Sequence, residues 1–122
     1  MHNKKIGTQF EKYMCKELAR EGWWAHFLSP SAGGSQPFDI IAIRGSHVLA
    51  IDCKVCKGDW FSYLRIETNQ RMAFDLLRSK SDSRKVKCGF MVLHDDRIVF
   101  IPYEQVLEDE KRGKHGYDLR GK

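Results

Sequence analysis

Three residues in the middle of the chain carry the most chemical information: Asp39, Asp52 and Lys54. Alternate residues of a strand share a face. In the segment from His47 to Val55, therefore, Val48, Ala50, Asp52 and Lys54 point one way and Leu49, Ile51, Cys53 and Val55 the other. The middle of that segment is apolar enough for an interior strand, yet it ends in a carboxylate and an ammonium on the same side, and both are costly to leave half-buried. The preceding run, Phe38 to Ile43, is rich in isoleucine, and Arg44-Gly45-Ser46 reads as the turn that joins the two as a hairpin. That pairing brings Asp39 up to Asp52. Two carboxylates converging at a sheet edge repel unless a cation sits between them, and hard oxygen donors suit Mg²⁺ or Mn²⁺. Such an ion makes a bound water acidic and stabilises charge on a phosphodiester under attack. Lys54 would orient the water or neutralise that charge. An isolated Asp-x-Lys is by itself an ordinary ion pair at a strand end. Its coupling to Asp39, to a Gly/Ser loop and to a helix gives it weight.

Residues 5–21 read as an amphipathic helix in which Ile6, Phe10, Met14 and Leu18 recur at four-residue steps, with Gly22 as a stop. Residues 23–28 are short, aromatic and strand-like, and residues 29–37 are the most loop-like stretch of the chain. A second helix is expected over 67–79, followed by a polar connector over 79–87. Residues 88–93 and 98–102 read as a second hairpin, and 103–110 as a short acidic helix. The Gly- and Lys-rich tail, 110–122, is expected to be loose. This order predicts an α/β fold, a mixed central sheet of about five strands flanked by helices, in a single domain over the whole chain.

Hydrophobic residues make up 42% and charged residues 30% of the 122 residues, which excludes a disordered tail or a coiled coil. No apolar run approaches the roughly 18–20 residues that span a bilayer, and the polar start argues against a signal segment, so a cytoplasmic address is expected. The net charge of +5 favours a polyanionic partner. Much of the excess lies between residues 78 and 87, where Arg78, Lys80, Arg84, Lys85 and Lys87 face Asp82 alone. Such a run is more often a solvated face than a binding site. The four cysteines are expected to be reduced thiols, and Cys53-x-x-Cys56 lacks the second Cys pair that a structural zinc site would need.

Gly7-x-x-x-Glu11, a helix ending at Gly22-Trp23, Ser31-Ala32-Gly33-Gly34, Phe38-Asp39-Ile40-Ile41-Ala42 and Ile51-Asp52-Cys53-Lys54-Val55 follow one another in an order that resembles the PD-(D/E)xK nuclease superfamily. The resemblance is greatest to archaeal-type Holliday junction resolvases, with RecU resolvases and VRR-NUC nucleases as relatives, and it covers residues 5–102. It implies a restriction-endonuclease-like fold and a Mg²⁺-dependent DNA endonuclease of recombination and repair, with Mn²⁺ as a substitute ion. It also implies a homodimer acting on branched DNA. Carried over to this sequence, Asp39 and Asp52 match the metal-binding acids, Lys54 the catalytic lysine, and the Cys53 carbonyl a further ligand. Glu11 matches the helix carboxylate of the metal site, Ser31 the serine of the loop, and Gln70 a supporting polar position. Phe38 stands in place of the proline of the motif name, Asp52 in place of the more usual glutamate, and Pro30 where these resolvases tend to carry arginine.

Glu11 has a second reading, since Thr8-Gln9-Phe10-Glu11 matches a capping box. The glycines Gly33 and Gly34 would permit a close approach of backbone to phosphate. Lys12, Lys57, Arg65 and Arg71 lie near the proposed site in sequence and are phosphate candidates. Trp60, Phe61 and Tyr63 would either stack on unpaired bases or pack in a core or dimer interface. Two other readings stay open: a nuclease-fold module that binds nucleic acid or a protein partner without useful catalysis, and a nuclease of flapped, nicked or duplex DNA.

Overall fold

The computed structural model describes residues 2–28 and 36–120, with side chains from Gly7 onward. Helix α1 (His2–Arg20) leads into strands β1 (Trp24–Phe27), β2 (Ile40–Arg44) and β3 (His47–Val55). A short strand β4 (Trp60–Ser62) and a 3₁₀ turn (Tyr63–Arg65) follow, then α2 (Thr68–Lys80), β5 (Val86–His94), β6 (Arg97–Pro102), α3 (Tyr103–Lys111) and β7 (Gly116–Asp118). The main sheet has five strands in the order β1-β2-β3-β5-β6. Only β3 and β5 run parallel; the other neighbours are antiparallel, so the sheet is mixed, as expected.

Each face of the sheet carries its own core. On one face the four-residue stripe of α1, Phe10, Met14 and Leu18, packs against Ile40, Ala42 and Ile51. On the other, α2 and α3 deliver Phe74, Tyr103 and Val106 to Phe61, Phe90 and Ile101. Because α1 begins at His2, Thr8 and Glu11 lie inside the helix rather than at its start, so the capping-box reading of these two residues falls. Both hairpin turns are tight. Arg44 pairs with His47 across Gly45 (φ 61°), and His94 pairs with Arg97 across Asp95 and Asp96 (φ 52° and 61°). Asn, Asp and Gly tolerate the left-handed region that such two-residue turns require.

One feature differs from the sequence reading. Strand β7, in the segment expected to be loose, pairs with β4 as a second, two-stranded sheet, and Leu119 beyond it is fully buried. The Arg97 guanidinium donates to the Leu119 carbonyl and holds this end down. His94 is buried, with Nδ1 3.1 Å from the Cys56 carbonyl and Nε2 3.0 Å from Asp59 Oδ1. It therefore fastens the turn that follows β3. Among the described residues no helix is long and apolar enough to cross a membrane.

Replacing Leu119 by alanine is expected to lower stability by about 2–5 kcal/mol in urea unfolding, as for other fully buried leucines. A change within about 0.5 kcal/mol, the range of surface substitutions, would mean that the C-terminal segment is loose after all.

Candidate active site

The β2–β3 hairpin keeps register from Arg44↔His47 to Ile40↔Ile51, and one step further on stand Asp39 and Asp52. Both carboxylates are buried, at 8% and 3% exposure. The Cys53 backbone N–H donates to Asp39 Oδ2 at 2.7 Å, and Gln36 Nε2 donates to Asp39 Oδ1 at 3.4 Å. The strand that carries Asp52 and Lys54 thus also orients Asp39.

Lys54 Nζ has three acceptors around it: Asp52 Oδ2 at 3.0 Å, Gln70 Oε1 at 3.4 Å and the Arg65 carbonyl at 3.4 Å. Each is positioned separately. Gln70 is buried at the start of α2, where its Oε1 also accepts the Glu67 N–H at 3.1 Å. Glu67 and Gln70 form the capping box of that helix, so one side-chain oxygen serves both the helix end and the lysine. Arg65 sits in the 3₁₀ turn, with its guanidinium donating to the Val55 carbonyl at 3.0 Å and lying 5.5 Å over the Phe61 ring. Tyr63, at the start of the turn, is anchored by a buried hydrogen bond to Asp109 of α3.

The charges are not balanced. Burial, reinforced by Asp39 and only partly offset by Lys54, pushes the Asp52 carboxyl up to about 7. Burial and then Asp39 push Glu11 up to about 7 as well. Asp52 Oδ2 lies 3.0 Å from the Lys54 ammonium, its ion-pair partner. A buried carboxylate beside a second carboxylate, with a single ammonium against it, is an acceptor set suited to a hard cation. Glu11 approaches from α1, on the opposite face of the sheet, and senses Asp39 without closing the set. Among the described residues no three His, Cys, Asp or Glu side chains form a group that could hold a metal ion. The Cys53 thiol is raised by burial and then by Asp39, so it stays protonated and is no ligand in this setting.

Lys54, Lys57 and Arg65 line a cavity of about 310 Å³ beside the site, with Gly7, Cys53 and Val55 as its other walls. Lys12 is exposed on α1. Arg71 differs from its sequence reading as a phosphate contact: its guanidinium makes a bidentate pair with Glu110 at 2.7 and 3.1 Å and braces α2 against α3. Ser31, Gly33 and Gly34 lie outside the described residues. The Arg65 carbonyl and Asp109 were missed by sequence reading. Only the Glu67-x-x-Gln70 spacing carried a local signal.

The family model described as archaeal Holliday junction resolvase (Hjc) matches residues 2–116. Among solved structures, Hjc from Archaeoglobus fulgidus, a Holliday junction resolvase from an archaeal hyperthermophile, superimposes with a TM-score of 0.65 at 19% identity. The match covers 90% of this chain and 85% of that one, and at this identity it is a likeness of fold. No curated protein matches the chain. With the family model matching nearly the whole length, the chain belongs to the archaeal Holliday junction resolvase family, a family of nucleases that generally use divalent metal ions.

Proposed function

We propose that the chain is a Mg²⁺-dependent endonuclease that cuts branched DNA as a homodimer, with Mn²⁺ able to replace Mg²⁺. The observation that carries this reading is the buried Asp39–Asp52 pair, with the Lys54 ammonium 3.0 Å from Asp52 Oδ2. Asp39, Asp52 and the Cys53 carbonyl would hold the ion, joined by Glu11 from the helix below. A divalent cation there supplies an acidic bound water and neutralises charge on the phosphodiester.

The remaining steps belong to the side chains. Lys54, fixed by Gln70 and the Arg65 carbonyl, orients the attacking water and offsets negative charge on the phosphoryl group. Gln70 is a positioning residue, since it acts on the lysine. Lys57 and Arg65, on the wall of the adjoining cavity, would take the neighbouring phosphates, with Lys12 further out. The loop with Ser31, Gly33 and Gly34 would approach the backbone near the cut.

A second copy is supported by apolar surface that this chain leaves bare. Trp24 and Ile43 pair across β1 and β2 and are 59% and 37% exposed, while Met72 and Leu76, one turn apart on α2, are 61% and 57% exposed. Paired cutting of a four-way junction needs two such sites held in one particle.

Asp39→Asn and Lys54→Ala are each expected to slow cleavage of a synthetic four-way junction at least about 100-fold, the scale of losing a group aimed at developing charge. EDTA should stop it altogether. Unchanged cleavage in both variants would end the metal-site reading. Sedimentation at micromolar concentration should show a dimer that Met72→Glu turns into a monomer; a wild-type monomer would count against paired cutting.

The metal-free protein should also behave unusually with pH. The folded chain holds protons on Asp52 and Glu11 up to about 7, whereas the ordinary values are 3.8 and 4.5. Between those limits the folded state binds more protons than the unfolded one, so stability rises as pH falls from about 7 towards 5. Thermal melts in EDTA should show this rise in the wild type and a flatter one in Asp52→Asn; identical slopes would show that Asp52 is not the group concerned.

A further inference from the structure

The basic segment after α2 has no part in the site above. The last β5–β6 pair is Gly89↔Pro102, whereas β5 stays paired with β3 as far as Val48↔Val86. Val86, Lys87 and Cys88 therefore lie beyond the point where β6 turns away into α3, and a cavity of about 260 Å³ opens there. Its walls include Leu49, Val86, Phe100 and Pro102, with Arg78 and Lys87 among them. Phe100 belongs to β6, which lies close against β5 here. A Cβ on Gly89 would stand 2.9 Å from the Phe100 ring and 2.5 Å from the Ile101 carbonyl oxygen, so β6 lies directly on β5 at this glycine.

Charge at the cavity is mainly basic, with Glu104 as an acidic wall against Arg78 and Lys87. Arg78 shares Glu104 at a loose 3.9 Å, and Arg84 is taken by Asp82 at 3.2 Å. Lys80, Lys85 and Lys87 are exposed and make no ion pair among the described residues. The cavity is also set apart from the carboxylates: Leu49 and Asp52 are three residues apart on one extended strand, about 10 Å. At about 260 Å³ it falls below the usual range for small-molecule sites, roughly 300–1,000 Å³, and suits one large side chain.

We propose that this cavity, with Lys87 in its wall and the exposed Lys80 and Lys85 of the same segment, forms a docking surface for a protein partner, through an acidic segment that carries one large apolar side chain. The apolar group fills the space between Leu49, Val86, Phe100 and Pro102, and flanking carboxylates meet Lys80, Lys85 and Lys87. A phosphate backbone would answer the charge but leave the apolar walls unfilled. Opposite charge at the rim and an apolar anchor in a pocket are the two parts of a compact peptide site.

Fluorescence anisotropy with a fluorescein-labelled polyglutamate peptide ending in phenylalanine tests this on the whole protein. Binding is expected, weakening about tenfold when the terminal phenylalanine is replaced by serine and about tenfold in Lys87→Glu, a change at an exposed position. Junction cleavage by Lys87→Glu should match the wild type, which separates this surface from the nuclease site. Absence of binding, equal binding of the serine peptide, or indifference to Lys87→Glu would overturn the proposal. So would a Lys87→Glu variant that loses affinity for duplex DNA instead of for the peptide, since the patch would then be a nucleic-acid contact.

Discussion

Two carboxylates buried side by side with one ammonium between the strand and the next helix form the constraint on which the rest of the structure depends. One positive charge cannot satisfy Asp39 and Asp52 together, and burial, with Asp39 adding to it, raises the Asp52 carboxyl to about 7 in spite of Lys54. Buried ion pairs seldom add stability, because desolvation consumes most of what the Coulomb attraction returns. Apolar residues at these positions would make a better core. Under the proposed function, the arrangement is a place kept ready for a cation and a phosphate rather than a brace for the sheet.

The surrounding fold limits how far these groups can relax. Asp39 cannot swing away from Asp52 without giving up the Cys53 N–H, which belongs to the same strand as Asp52 and Lys54. Lys54 is confined by a helix cap and a backbone carbonyl, and those depend in turn on more distant contacts. The 3₁₀ turn is anchored through Tyr63 to Asp109, α2 is tied to α3 through Arg71 and Glu110, and β4 is clamped by β7 from the far end of the chain. α3 and the C-terminal strand thus support the lysine although neither touches it. Glu11 is the exception. It comes from the other face of the sheet and is linked to the pair through the charge of Asp39.

The parts of this organisation legible in the sequence are those written in local periodicity. The alternation of β3 placed Asp52 and Lys54 on one face, the two-residue turn at Gly45 set the register that brings Asp39 alongside, and the four-residue stripe of α1 marked its buried face. What escaped was non-local. β4 and β7 are three residues each and lie more than fifty positions apart, too short for a period and too distant for a turn signal, so the tail read as loose. Arg71 looked free for phosphate because its partner, Glu110, is 39 residues away. The start of α1 also escaped, since no capping residue marks His2 and the Thr8-Glu11 spacing imitates a cap inside the helix.

The central claim is that the carboxylates take up a divalent ion in exchange for protons. Calorimetric titration of Mn²⁺ into the protein just below neutral pH, repeated in two buffers of different ionisation enthalpy, measures both quantities at once. Saturable binding with release of about one proton, abolished in Asp52→Ala, is the expected result, because Asp52 and Glu11 are raised to about 7 and must ionise to bind the ion. Absence of binding heat, or binding that survives Asp52→Ala with no protons released, would contradict the account.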